Sequence, residues 1–188
     1  NCSIYFLFVL RRFLLILTLF LSTDFVTIVI VIILYIQGRG KFIMKILFYR
    51  YGSICEPDII EAMKHLGHEV FCINLEITDK NIPTQTVIKH VSDTLLSSSF
   101  DCIFSINFYP VLSEICNIMK LPYICWTVDS PVMELYSDSY SNEWNRIFLF
   151  DSMQYQDFAP YNPAHTFFLP LATNVKRWDS VLADSNPD

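Results

Sequence analysis

Several polar residues stand directly after short apolar runs, where a parallel sheet would bring them to one edge. In a doubly wound sheet, ligands lie at the carboxyl ends of the strands. A carboxylate there can bind a hydroxyl group, and amides, hydroxyls and a guanidinium can hold a polar ligand. The candidate substrate-binding residues are Arg50, Gly52, Asn107, Ser130, Asp151 and Asn174. Residues of these types also end strands for reasons of turn geometry alone, so each is only a candidate.

Asp129 is the candidate catalytic residue. It follows the apolar run Pro122–Val128 and precedes Ser130-Pro131, a place that aims its carboxylate towards the cleft at the strand ends. The carboxylate could act as a general base or bind a hydroxyl group. It could equally cap the N-terminus of a following helix.

Several enzyme classes that use α/β sheets lack their motifs in this chain. The sequence contains no G-x-G-x-x-G after the first apolar run, no G-x-x-x-x-G-K-[ST] and no G-x-S-x-G, which argues against common dinucleotide, P-loop and α/β-hydrolase sites. It also has no C-x-x-C pair and no histidine at zinc-finger spacing. We therefore expect neither a metal site nor a bound cofactor.

The elements that would position these residues alternate between apolar runs and amphipathic segments. Runs that are apolar throughout predict strands buried on both faces, and prolines predict the first turns of helices. Predicted strands are Lys45–Tyr49, Val70–Leu75, Phe100–Ile106, Pro122–Val128, Arg146–Phe150 and Thr166–Leu171. Helices are predicted to open at Glu56, Pro83 and Pro110, with helix plus loop in Asp129–Trp144 and a helical turn at Gln154–Phe158.

This order predicts an α/β fold with a Rossmann-like, doubly wound parallel sheet of about six strands over residues 44–178. On the helix faces, we expect Leu96 and Ile118 to point inward. Cys72, Cys102 and Cys125 lie in strand-like runs. We expect them to be buried free thiols, which is typical of a reducing compartment such as the cytoplasm.

The charge balance limits the partners. Four basic residues and one acidic residue of the chain's 13 and 19 precede Met44, which leaves nine basic and eighteen acidic residues in 44–188. Nucleic acids and anionic membranes need a basic face. We therefore expect no nucleic-acid partner.

Residues 1–43 form an apolar leader with two possible origins. Residues 13–36 are long enough to cross a bilayer, with Asp24 as a costly interruption. Alternatively, Met44 is the true start and the leader is translated upstream DNA. Gly38-Arg39-Gly40 can be encoded by a purine-rich ribosome-binding site, which favours this second interpretation. A membrane partner is expected only if residues 13–36 are genuine, with the domain then anchored on the cytoplasmic side.

Three motifs in one order resemble a known family. They are P-Y-I-C-W-T-V-D-S-P, N-R-I-F-L-F-D and F-L-P-L-A-T-N, and they follow M-K-I-L-F-Y-R-Y-G and E-A-M-K-H-L-G-H-E-V. Together they resemble the N-terminal domain of CgeB-like, spore-maturation-type bacterial GT-B glycosyltransferases, which is often described only as a domain of unknown function. The resemblance spans Met44 to about Trp178.

The resemblance implies the acceptor-side half of a glycosyltransferase, which moves a sugar from a nucleotide-sugar donor to a small-molecule or glycan acceptor. Residues 179–188 would begin a linker to a donor-binding domain, without which the fragment would be inactive. The matched motifs imply that Asp129, Ser130, Asp151 and Asn174 face the cleft. The alternative function is a non-catalytic α/β binding or interaction module, anchored to a membrane if residues 13–36 are genuine.

Overall fold

The computed structural model describes residues 43–184, and a six-stranded parallel sheet is the centre of that part of the chain. The strand order is β2-β1-β3-β4-β5-β6, with every neighbouring pair parallel. The strands are β1 Lys45–Tyr49, β2 Glu69–Ile73, β3 Cys102–Ile106, β4 Tyr123–Thr127, β5 Asn145–Leu149 and β6 Thr166–Phe168. The predicted α/β class and Rossmann-like doubly wound sheet are confirmed.

Helices connect the strands. The α-helices are α1 Glu56–His65, α2 Leu75–Thr78, α3 Thr84–Ser97, α4 Pro110–Met119, α5 Ser152–Phe158 and α6 Val175–Asp184. Short 3-10 turns lie at Met133–Tyr136, Asp138–Ser141 and Ala159–Tyr161. Pro57 and Pro110 occupy the first turns of α1 and α4, where a missing backbone N–H costs no helical hydrogen bond.

The strand order reverses between β1 and β3. The chain leaves β1 towards β2 on one side, and it then crosses back to β3 and continues to β6 on the other. Such a switch point leaves a crevice at the carboxyl ends of the two central strands, because their connections depart in opposite directions. The residues after β1 and β3 are therefore the natural lining of a ligand site.

The central strands are buried on both faces, as their uniform apolar character predicts. Leu47, Tyr49, Ile103 and Cys125 belong to a core cluster on one face that also includes side chains of α3 and α4. Alternating neighbours such as Trp126 are also buried. Successive side chains of a strand point to opposite faces of the sheet. Burial of both sets therefore means that helices or loops cover both faces.

Some predicted boundaries are wrong by more than a residue. Strand β2 ends at Ile73, and Leu75 begins α2 instead of ending the strand. Strand β6 ends at Phe168, before the proline that cannot donate to a ladder. The segment Asp129–Trp144 holds two 3-10 turns and no α-helix.

Three burial predictions are also wrong. Strand β2 lies at an edge of the sheet and is largely exposed, so Cys72 is exposed too. Leu96 and Ile118 point outward, with 77% and 78% of their surface exposed. Successive residues of an α-helix are rotated by about 100° from each other. A residue just outside the inward-facing stripe of its helix can therefore point to solvent. Cys102 and Cys125 are buried free thiols, as predicted.

The chain divides into two compact units. Gly40–Leu171 contains the sheet, and the described part of the other unit, residues 172–184, contains α6. The apolar leader and the predicted span at residues 13–36 lie outside the described residues, as do residues 185–188 of the proposed linker. Residues 179–184, predicted to begin that linker, belong to α6. Between residues 43 and 184, no helix is long and apolar enough to cross a membrane.

Candidate functional site

The loop after β1 is held by one buried carboxylate. Glu56, at the start of α1, is fully buried, and its Oε1 accepts hydrogen bonds from the backbone N–H groups of Tyr51 at 2.9 Å and Gly52 at 3.0 Å. Its Oε2 accepts a 3.0 Å bond from Arg50 Nε. The two candidates Arg50 and Gly52 are thus fixed through the same side chain, and Arg50 Nη1 also donates to Asn74 Oδ1 at 3.4 Å.

Gly52 allows this loop to turn. Its φ is +95°, a conformation that side chains with a Cβ rarely adopt. The Lys80 ammonium contacts the Tyr51 carbonyl oxygen beside it, and it also lies 5.3 Å from the centre of the Tyr51 ring. The loop therefore presents the Tyr51 side chain towards β3 and leaves Gly52 exposed.

Asn107 joins the ends of three strands. Its backbone has φ +59°, a left-handed conformation that Asn tolerates better than most residues. Its Nδ2 donates to Asp129 Oδ2 at 2.6 Å and to the Tyr51 hydroxyl at 3.2 Å. Its Oδ1 accepts from the Val128 backbone N–H at 3.0 Å. The side chain thus connects the loop after β1 with the end of β4.

Asp129 is an exposed carboxylate with one fixed oxygen. Asn107 holds Oδ2, and Oδ1 has no hydrogen-bond partner within residues 43–184. The alternative interpretation as a helix cap is wrong, because the next helical turn begins at Met133 and its N-cap residue is Val132. Asp129 therefore offers an oriented acceptor to solvent at the end of β4, next to the switch point.

A second contact joins the ends of β4 and β5. The Ser130 hydroxyl donates to Asp151 Oδ2 at 2.6 Å, and Asp151 Oδ1 accepts from the Met153 backbone N–H at 2.8 Å as the N-cap of α5. The bond from Ser130 and the bond from Met153 lower the pKa of Asp151 below its ordinary value. Asp151 thus has a structural partner on each oxygen.

Asn174 has a capping role in the other unit. Its Oδ1 accepts from the Arg177 backbone N–H at 3.2 Å, and its backbone carbonyl accepts from Trp178 N at 3.1 Å. These contacts begin α6. Six of the seven candidate residues thus lie in the unit that contains the sheet, linked as Arg50–Glu56–Gly52, Asn107–Asp129 and Ser130–Asp151.

A tyrosine cluster backs the switch point. Tyr49 donates to Glu76 Oε1 at 2.6 Å, and Tyr109 donates to Glu76 Oε2 at 3.3 Å. The Tyr109 ring lies 5.2 Å from Tyr49 and 6.3 Å from Tyr51, centre to centre. Burial raises the pKa of all three phenols, and nearby carboxylates raise it further. These hydroxyls therefore stay protonated and can act as hydrogen-bond donors.

In the described part of the chain, no three His, Cys, Asp or Glu side chains converge in a way that could hold a metal ion. The site consists instead of the Asp129 carboxylate, the Asn107 amide, the Ser130 hydroxyl with its Asp151 partner, and tyrosine side chains. Such groups suit a neutral, hydroxyl-bearing ligand, because each can donate to or accept from a hydroxyl group. No protein-family model matches the chain, and no curated protein matches it significantly.

Sequence reasoning missed Tyr51, Glu56, Glu76 and Tyr109 as site residues. Glu56 was predicted only as the residue at which a helix begins. The signal for Tyr51 was its place between two candidates, Arg50 and Gly52. No local signal connects Glu76 to the site, since it lies in a short helix after an edge strand.

Proposed function

We propose that the domain binds a hydroxyl-bearing acceptor, a glycan or a small polyol, at the carboxyl edge of its sheet. In this proposal it is the acceptor-side half of a glycosyltransferase that uses a nucleotide-sugar donor. The observation that carries the proposal is the Asp129 carboxylate, which is exposed after β4, next to the switch point, and is oriented by Asn107 after β3. The family resemblance of the motifs around Asp129 points the same way.

The chemistry follows from that placement. A carboxylate oxygen within hydrogen-bond distance of an acceptor hydroxyl can take its proton as the hydroxyl oxygen attacks the anomeric carbon. The new bond joins the acceptor oxygen to the sugar, and the bond between the anomeric carbon and the nucleotide phosphate breaks. The nucleoside diphosphate leaves with the bonding electrons. The Tyr51 hydroxyl accepts a 3.2 Å hydrogen bond from the same amide that holds Asp129, so this hydroxyl lies close to the place where the acceptor would bind.

Binding is the first test. Saturation-transfer NMR on the full chain would use glucose, galactose and N-acetylglucosamine, and also their β-linked disaccharides. We expect saturable binding of at least one saccharide, and we expect Asp129→Asn to weaken it about tenfold, because a charged hydrogen bond is lost. Glu61→Gln is the matched control, since Glu61 is an exposed carboxylate on α1.

Turnover is the second test, made on the protein expressed from its complete reading frame. Nucleotide-sugars based on uridine, guanosine and thymidine diphosphate would be supplied with the saccharide that binds. Removing a general base costs about 10²–10⁴-fold in rate, so Asp129→Asn should lower kcat by that factor while Glu61→Gln does not. Saccharide binding without turnover would favour the non-catalytic binding module. The absence of both saccharide binding and turnover would refute the proposal.

A further inference from the structure

A concave site lies near the amino ends of strands β5 and β6. It is a pocket of about 640 Å³ between the 3-10 turns of residues 133–141 and the end of α5. Tyr140, which lines it, hydrogen-bonds through its hydroxyl to Thr166 Oγ1 at 2.6 Å, and its carbonyl accepts from Asn145 Nδ2 at 3.1 Å. Asn145 and Thr166 are the first residues of β5 and β6, so the pocket lies at the amino ends of these strands, away from Asp129.

The pocket has an aromatic floor and an aromatic rim. Tyr140 and Phe158 form the floor, with 3% and 6% of their surface exposed, and Tyr136 and Tyr161 form the rim, with 70% and 74% exposed. Phe158 meets Tyr136 with ring centres 4.9 Å apart at 70° and meets Tyr140 at 5.5 Å and 51°. Phe158 therefore joins Tyr136 and Tyr140 in one packed aromatic cluster, and the exposed rings of Tyr136 and Tyr161 remain open to a ligand.

The charged side chains that line the pocket are both acidic. Asp138 and Asp157 line it, and Leu135, Ser137 and Ser141 complete the wall, so no Lys, Arg or His is among the lining residues. Neither carboxylate takes part in an ion pair with a residue between 43 and 184. Both side chains are exposed, so a ligand can reach them without a change of fold.

We infer that this pocket binds an organic cation, namely an alkylammonium or quaternary ammonium group on a larger body. Faces of aromatic rings attract cations electrostatically, and cages of several rings recognise quaternary ammonium groups. The carboxylates of Asp138 and Asp157 also attract a cation. The volume is within the range of about 300–1,000 Å³ found for small-molecule sites, so it can take the head group together with part of the attached chain.

A saccharide fits this pocket less well. Sugar hydroxyls need donors as well as acceptors, and the lining offers no amide or guanidinium group. Of its five hydroxyls, those of Ser137, Tyr140 and Ser141 are already engaged with Ser139, Thr166 and the Asp138 carbonyl oxygen. The pocket therefore differs in chemistry from the Asp129 site, and its ligand does not depend on the proposed transferase function.

The test compares two probes of one shape that differ in charge. Choline chloride and the neutral isostere 3,3-dimethyl-1-butanol would be titrated separately into the full chain at constant ionic strength, with the tyrosine ring signals followed by NMR. A cation–π contact contributes about 0.5–2 kcal/mol per ring, so we expect millimolar binding of choline and at least about tenfold weaker binding of the isostere. Shifted signals should include Tyr136 and Tyr161.

Variants locate the binding. Asp157→Asn and Tyr161→Ala should each weaken choline binding several-fold, whereas Tyr161→Phe, which keeps the ring, and Glu61→Gln, which removes a carboxylate elsewhere, should not. Asp157 and Tyr161 are exposed, so unchanged thermal unfolding is expected for all four proteins. Equal binding of both probes, no saturable choline binding, or choline binding that survives both Asp157→Asn and Tyr161→Ala would overturn the inference.

Discussion

The side-chain amide of Asn107 donates a 2.6 Å hydrogen bond to the carboxylate of Asp129. The same side chain accepts from the Val128 backbone and donates to Tyr51. One residue after β3 therefore sets the position of the carboxylate after β4. This makes Asn107 a positioning residue for the proposed acceptor site.

Two substitutions separate the roles of Asn107. Asn107→Gly removes the side-chain bonds and also the Cβ, which suits the backbone φ of +59°, whereas Asn107→Ala removes the bonds but keeps a Cβ in a left-handed conformation. We expect both to lower the free energy of unfolding, with Asn107→Ala lower by a further 1 kcal/mol or so, about the cost of left-handed backbone. Urea unfolding measures the difference. Equal stability of the two variants would show that the backbone conformation carries no cost.

Glu56 should be the most sensitive residue of the site. Glu56→Ala leaves the N–H groups of Tyr51 and Gly52 without an acceptor and Arg50 without its partner. We expect a loss of about 2–4 kcal/mol in the free energy of unfolding, measured by urea unfolding. Glu61→Ala on the exposed side of the same helix should change it by less than about 0.5 kcal/mol. Similar losses for both variants would contradict the bridging role of Glu56.

The two glycines with positive φ form a matched pair. Gly52 has φ +95° and Gly67 has φ +87°, and a Cβ would meet nothing closer than 3.7 Å at Gly52 and nothing within 4 Å at Gly67. Substitution by Ala should therefore cost about 1–3 kcal/mol at either position, from backbone strain alone. Saccharide titrations should show weaker binding for Gly52→Ala only. A matching loss of binding in Gly67→Ala would mean that general destabilisation is the cause.

Gln154 is buried without partners for its amide. Neither Nε2 nor Oε1 has a hydrogen bond, and no other described side chain has buried polar atoms in this state. Gln154→Met keeps the length of the side chain and removes both polar atoms, so the free energy of unfolding should rise by about 1 kcal/mol or more. Differential scanning calorimetry would show a higher Tm. Gln156→Met, on the exposed side of α5, should leave it unchanged, and a lower Tm for Gln154→Met would show that the amide is satisfied in solution.

His68 should make stability depend on pH. Its Nδ1 accepts a 3.2 Å hydrogen bond from the Met44 backbone N–H, and burial lowers its pKa below the ordinary value. The unfolded chain therefore binds the proton more tightly than the folded chain. Stability should be full above the unfolded pKa of about 6.5 and should fall as the pH drops from there to the folded pKa.

Chemical unfolding between pH 5 and pH 8 would measure this slope. His68→Asn can keep an acceptor near Met44 without titrating, so its slope should be shallower than that of the native chain. A remainder is expected, because burial and Arg146 also lower the pKa of His165. His90→Asn, at an exposed position of α3, should retain the native slope. An unchanged slope in His68→Asn would exclude His68 as its source.

The candidate site was predictable in part. Apolar runs followed by polar residues located Asn107, Asp129, Ser130 and Asp151 at one edge, because all parallel strands end on the same side. Their pairing was not predictable, since Asn107 and Asp129 are 22 positions apart and their contact depends on β3 lying beside β4. The contacts of Glu56 with the backbone of the loop were not predictable either, because they need the turn at Gly52.

The sequence by itself determined the fold class, the approximate strand positions and the edge that carries the polar residues. These follow from local periodicity and from proline and glycine, which act within a few residues. Only the tertiary structure decided the strand order, the exposure of β2 and the outward direction of Leu96 and Ile118. It alone formed the aromatic pocket from residues 135–141 and 157–161, because such contacts depend on which segments pack together and not on the residues beside them in the chain.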